Sequence, residues 1–93
     1  MVDSLEYMWK YVDYARSRNP RNRMYIGWMD STTHFPFILP PQWKNNNTYI
    51  NDQDAWASID AWLNSVRWTD DIIKIIIIGF RERGLENDTL FVM

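Results

Sequence analysis

Apolar residues along this chain recur in patterned runs that predict its elements. Leu5, Met8, Trp9, Val12 and Ala15 are spaced by three and four, the pattern of one helical face. Asp3 and Glu6 have capping-box spacing at its start, and Asn19-Pro20 closes it, because a residue before proline avoids the helical region. A helix over 1–19 follows. Residues 24–29 (Met-Tyr-Ile-Gly-Trp-Met) are apolar at both parities, which suits a strand at 23–29 covered on both faces, as in a parallel sheet. Ile59, Leu63, Val66, Ile73, Ile77 and Phe80 form one stripe of a helix over 54–84. Asn51, Asp52 and Asp54 supply its caps, Arg81 and Arg83 its basic last turn, and Gly84 a left-handed cap. The β-branched run Ile75-Ile76-Ile77-Ile78 favours a strand locally, but the stripe enters and leaves it in helical register. A second apolar strand is expected at 88–93.

Between the first strand and the long helix lies a loop over 30–53, with His34, three prolines (Pro36, Pro40, Pro41) and the polar run from Lys44 to Thr48. A loop of this length inside a domain is usually functional or disordered. The order helix, strand, long loop, long helix, strand predicts an α/β fold whose last three elements make a parallel βαβ unit with a right-handed crossover. No internal repeat is visible.

Length and composition narrow this further. The chain has 93 residues, enough for one small domain, yet 46% are apolar and six are Trp. Either the core is unusually aromatic or some of these faces meet other protein. A net charge of -2 without a basic patch argues against nucleic acid or an anionic membrane as partner. The absence of cysteine excludes disulfides, thiolate metal sites and thiol nucleophiles within this segment. The first residues are not those of a signal peptide, and no apolar run is long enough to span a bilayer.

In open α/β sheets, ligands bind beyond the carboxyl ends of strands. Asp30-Ser31-Thr32-Thr33-His34 follows the first strand directly, which makes His34 the leading site candidate. Whatever follows the second strand would lie past Met93, so the chain is expected to be an interior fragment of a larger domain.

Thr33-His34-Phe35-Pro36 after a short apolar strand resembles the His-x-Pro loop of the sulfatase family, in the alkaline-phosphatase-like superfamily. Val66-Arg67-Trp68-Thr69-Asp70-Asp71, the apolar helix, and the run from Arg81 to Val92 resemble the helix-turn-strand before that family's second metal motif. The similarity covers roughly 24–93 in the family's order. It implies a partial three-layer alkaline-phosphatase-like fold, with 1–93 a piece of one catalytic domain. The implied reaction is metal-assisted hydrolysis of a sulfuric ester, with a divalent cation, usually calcium, in the intact domain. His34 would contact the ester's charged oxygens and Thr33 would lie beside it. The formylglycine nucleophile and the metal ligands have no counterpart here, so no metal ligand is assigned and the chain alone is expected to be inactive. The implied partners are a sulfate or phosphate ester and the remainder of the catalytic domain. Thr32-Thr33 departs from the more polar or His-containing sequence of many members, which leaves the ester class open. The alternatives are a phosphoester hydrolase or phosphoryl-group transferase of the same superfamily, and a non-catalytic binding or remnant module.

Plainer readings stand beside these. A loop histidine next to Phe35 and Phe37 can be a packing residue. Asp70 falls on the apolar stripe and reads as a buried carboxylate satisfied by a neighbouring loop, while Asp71 reads as solvent-facing. Trp9, Trp56, Trp62 and Trp68 read as packing. Trp43, in the loop after Pro40-Pro41, reads as a substrate-rim residue. Asn46-Asn47-Thr48 and Asn87-Asp88-Thr89 are glycosylation sequons that matter only in a secreted parent.

Overall fold

The structure, a computed structural model, describes residues 2–40, 43 and 53–93. Its elements are helix α1 (Val2–Arg18), helix α2 (Gln53–Glu82) and a single 3-10 turn at Glu86–Asp88. No strand occurs among the described residues, so the α/β order with a parallel βαβ unit is overturned. The polar run 44–48, with its sequon, and Asn51 and Asp52 lie outside the described residues.

Helix α1 buries one face. Leu5, Met8 and Val12 are buried, while Tyr7, Tyr11 and Tyr14 on the other side are exposed. After Arg18 the chain breaks out of the helix through side-chain amides. Asn22 Nδ2 donates to Ala15 O at 2.7 Å, and the Arg21 amide donates to Asn19 Oδ1 at 2.9 Å.

Helix α2 holds the β-branched run as helix, because tertiary packing outweighs local propensity. Its buried face is Asp60, Asn64, Ser65, Trp68, Ile72 and Phe80. The stripe read from sequence is therefore out of phase: Ile59 and Val66 are exposed, and of that stripe only Phe80 is fully buried. Asn64 and Ser65 are buried polar residues whose side chains donate to the helix backbone, at Asp60 O and Trp62 O. Helix α2 ends in a Schellman motif. Leu85 N donates to Phe80 O and Gly84 N to Arg81 O, with Gly84 at φ 70 and Leu85 packed with Phe80.

The helices run in the same direction. Leu5 and Met8 of α1 meet Trp68 and Ile72 of α2, and further along Val12 meets Phe80. Beyond them Arg83 clasps Asp13 through two nitrogens and lies 4.2 Å over the Trp9 ring. The chain returns between the helices. Met24 joins the Phe80 cluster, Ile26 touches both clusters, and Trp28 joins the Trp68 cluster.

Along this return the even residues Met24, Ile26 and Trp28 are half-buried, and the odd residues Tyr25, Gly27 and Met29 are exposed. That period of two is the period of an extended chain. It fails to be a strand because a strand requires backbone hydrogen bonds to a neighbouring strand. No second segment supplies them among the described residues. The expected strand at 88–93 is likewise absent. Phe91 packs edge-on against Phe80 at 5.5 Å, while Leu90, Val92 and Met93 are exposed.

Candidate functional site

The loop after the return segment is built on Asp30. Its carboxylate accepts from the Thr32 amide at 3.0 Å and the Thr32 hydroxyl at 2.8 Å, closing an Asx turn. The Thr69 hydroxyl of α2 donates to Asp30 Oδ2 at 2.6 Å. Thr69 Oγ1 also lies 3.1 Å from Ser65 O, but one hydroxyl has one proton, and the shorter contact to a charged oxygen holds it. Partial burial pushes the Asp30 carboxyl up. The hydrogen bonds from Thr69 and from the Thr32 amide and hydroxyl outweigh it, and the carboxyl lies below its ordinary value of 3.8.

Two tight turns follow. His34 N donates to Ser31 O at 3.0 Å, and Phe37 N to His34 O at 2.9 Å across a cis Phe35-Pro36 bond. Phe37 takes φ 61 and stacks edge-on with Phe35. His34 is exposed, and its Nδ1 lies 2.7 Å from Phe35 O. A carbonyl oxygen only accepts, so Nδ1 carries the proton. Nε2 has no hydrogen-bond partner among the described residues. A neutral imidazole in this tautomer offers Nε2 as an acceptor; only the protonated ring offers N–H there.

Further along the loop, Trp43 Nε1 donates to Asp71 Oδ2 at 3.0 Å, and its ring meets Trp68 edge-on at 5.7 Å. The loop is thus strapped to α2 at two described points, Asp30 to Thr69 and Trp43 to Asp71. Thr33 is half-buried beside His34 and makes no hydrogen bond among the described residues. Trp43 is taken up in packing against the Leu5 and Trp68 cluster. Asp70, read as buried, is exposed, and Asp71, read as solvent-facing, is the half-buried acceptor for Trp43. Sequence reasoning missed Asp30 and Thr69. The Asp-x-Thr spacing at a loop entry was the available signal for the first, but nothing local marks its partner.

Among the described residues no three His, Asp or Glu side chains converge to hold a metal ion. Asp30, the nearest carboxylate to His34 in sequence, has both oxygens engaged by Thr32 and Thr69. These residues therefore do not fit the divalent cation implied by the family resemblance. No described helix is long and apolar enough to cross a membrane.

Replacing Thr69 with Val keeps the shape and removes the donor to Asp30. At neutral pH this costs about 1 kcal/mol, less than a fully buried bond to a charge because the site is half open. The sign with pH follows from the lowered Asp30 carboxyl. Its stabilisation is complete above the unfolded-state value and is lost as pH falls through the folded value. The gap between Thr69→Val and the parent chain therefore closes in acid below that range. Urea titrations at several pH values check this, and a gap constant with pH would detach Thr69 from Asp30.

The chain matches no protein-family model, no curated protein and no solved structure.

Proposed function

We propose that this chain carries the ester-facing loop of a metal-assisted sulfuric ester hydrolase, in which His34 contacts the charged oxygens of the ester. The observation that carries the reading is the state of His34: exposed, with Nδ1 engaged by Phe35 O and Nε2 without a partner on the described residues. A ring fixed through one nitrogen presents the other in a defined direction. The protonated ring donates Nε2–H to an ester oxygen and stabilises negative charge growing on the leaving group. The strap from Asp30 to Thr69 holds the loop entry against α2, and such positioning is what an anion-binding histidine on a loop requires.

The proposal rests on this loop chemistry and on the resemblance of Thr33-His34-Phe35-Pro36, not on the α/β order, which is corrected above. The nucleophile and the divalent cation belong to groups other than those described. The chain by itself binds without turning over. Phosphoester hydrolysis or phosphoryl transfer uses the same contact to a charged oxygen and is the neighbouring reading. The residue at the nucleophile position separates them: a modifiable Cys or Ser implies the sulfuric ester, an unmodified Thr or Ser the phosphoester.

The test is a titration of the 93-residue chain with an aryl sulfate, followed on the backbone amide resonances of residues 31–37. Binding is expected to shift them in the parent chain and to leave them unmoved in His34→Gln. An aryl sulfate that binds His34→Gln as well as the parent chain would remove His34 from this role.

A further inference from the structure

The net charge of -2 averages over a segregated chain. Four of its ten cations, Arg16, Arg18, Arg21 and Arg23, fall within eight residues, and no acid lies from 14 to 29. The turn that carries them is held against the end of α1. Asn22 N donates to Asn19 O at 3.0 Å and Asn22 Nδ2 to Ala15 O at 2.7 Å, so Arg21 and Arg23, on either side of Asn22, stay beside the helix's last turn. Arg18, Arg21 and Arg23 are exposed, and none makes an ion pair among the described residues. Asp13, the acid nearest to them in sequence, is clasped by Arg83. Like charges gathered in this way repel one another in the chain alone, and an anionic partner relieves them. Rings continue the surface along α1. Tyr7, Tyr11 and Tyr14 are 72%, 50% and 61% exposed, and their spacing by four and three sets them on one face with Lys10 and Arg18. Lys10 Nζ lies 5.5 Å from the Tyr7 centroid and the Arg18 guanidinium 5.7 Å from that of Tyr14.

We propose that this face binds single-stranded nucleic acid, with phosphates against Lys10, Arg18, Arg21 and Arg23 and bases stacked on Tyr7, Tyr11 and Tyr14. The alternation of ring and cation matches the alternation of base and phosphate in a single strand. The rings follow one another at roughly 6 and 4.5 Å along the helix axis, so each can serve a separate base. Three of the four cations are arginines, whose planar forks suit phosphate oxygens. Stacking tolerates any base, so the binding is independent of sequence. A duplex hides the faces of its bases and leaves the tyrosines unused. An anionic membrane fits less well, because Leu5, Met8 and Val12 of α1 are buried in the core and this face offers rings and cations but no aliphatic chain to insert. The inference does not use the ester site.

Fluorescence anisotropy of the full chain with a labelled oligothymidylate of about ten nucleotides tests it. Binding is expected to weaken with salt at a log–log slope near about -3, the value for roughly four phosphate contacts on a single strand. Replacing Arg18, Arg21 and Arg23 together with Gln is expected to reduce that slope to about -1. Tyr11→Leu is expected to weaken binding roughly fivefold or more with the slope unchanged, and Tyr11→Phe to keep the parent affinity. These side chains are exposed, so the fold survives their replacement, which far-ultraviolet circular dichroism checks. An oligonucleotide that does not bind at low salt overturns the proposal. Binding that Tyr11→Leu leaves intact also overturns it, since charge alone then accounts for the contact, as does equal affinity for a duplex of the same length. A chain that prefers vesicles containing phosphatidylserine to the oligonucleotide overturns it too and assigns the face to a membrane.

Discussion

Phe80→Ala is expected to leave this chain mostly unfolded under mild denaturing conditions that the parent tolerates. Phe80 is 6% exposed and stands where the elements meet. Its ring packs edge-on with Trp9 of α1 at 5.2 Å and with Phe91 at 5.5 Å, and it shares a cluster with Val12 and Leu85. It is also the residue whose carbonyl receives the Leu85 amide at the end of α2. Truncation removes the ring's transfer energy and opens a cavity, together about 3–5 kcal/mol. Domains of this size are stable by roughly 5–15 kcal/mol. This one has a radius of gyration of 16.5 Å where a compact chain of its length has about 12 Å, so it belongs at the lower end. The substitution thus removes most of the margin. Urea unfolding followed by tryptophan fluorescence measures it, and a loss under about 1 kcal/mol would mean that Phe80 is not the joint between the helices.

The same residues mark what the sequence made legible. Helix α1 buries only one face, so the spacing of Leu5, Met8 and Val12 points directly at its core side. Helix α2 is apolar around most of its circumference from Ile72 to Ile78, and several stripes can be drawn through it. The stripe through Ile59, Val66 and Ile73 misses the buried face. That face includes Asp60, Asn64 and Ser65, polar residues that pattern reading places outside. Asn64 and Ser65 are tolerated there because each is satisfied within its own helix. The strand reading of 24–29 expected both faces to be covered within a sheet; the segment is extended, but its odd face is exposed and it joins no ladder among the described residues. A ladder is a property of two segments, and among the described residues only one is extended and in place. That His34 lies in a loop after the apolar run was legible, and the structure places it there, exposed. Its support was not, because Asp30 and Thr69 are 39 residues apart and meet only once α2 is packed against the loop.

Gly79→Ala sets two principles against each other, and packing is expected to win. A glycine inside a helix costs about 1 kcal/mol relative to alanine, so propensity alone predicts a more stable chain. Gly79 is buried, however, and a β-carbon there would run into the six-membered ring of Trp9. That ring has little freedom to withdraw. Phe80 holds it edge-on from one side, and the Arg83 guanidinium lies 4.2 Å from its centroid, itself tied to Asp13 and to Gly79 O. Trp9 also packs against both core clusters, so displacing it disturbs the whole seam between the helices. Overpacking of this kind costs up to about 3 kcal/mol. With the helix gain subtracted, the expected result is a net loss of roughly 2 kcal/mol. Trp9→Leu in the same background separates the two effects. With the indole gone, alanine at 79 meets no ring, and Gly79→Ala then stabilises by about its propensity gain of 1 kcal/mol. A double-mutant cycle read by urea unfolding tests the coupling. If Gly79→Ala stabilises equally with and without Trp9, the close approach of that ring to α2 is wrong, and with it the seam that orders this chain.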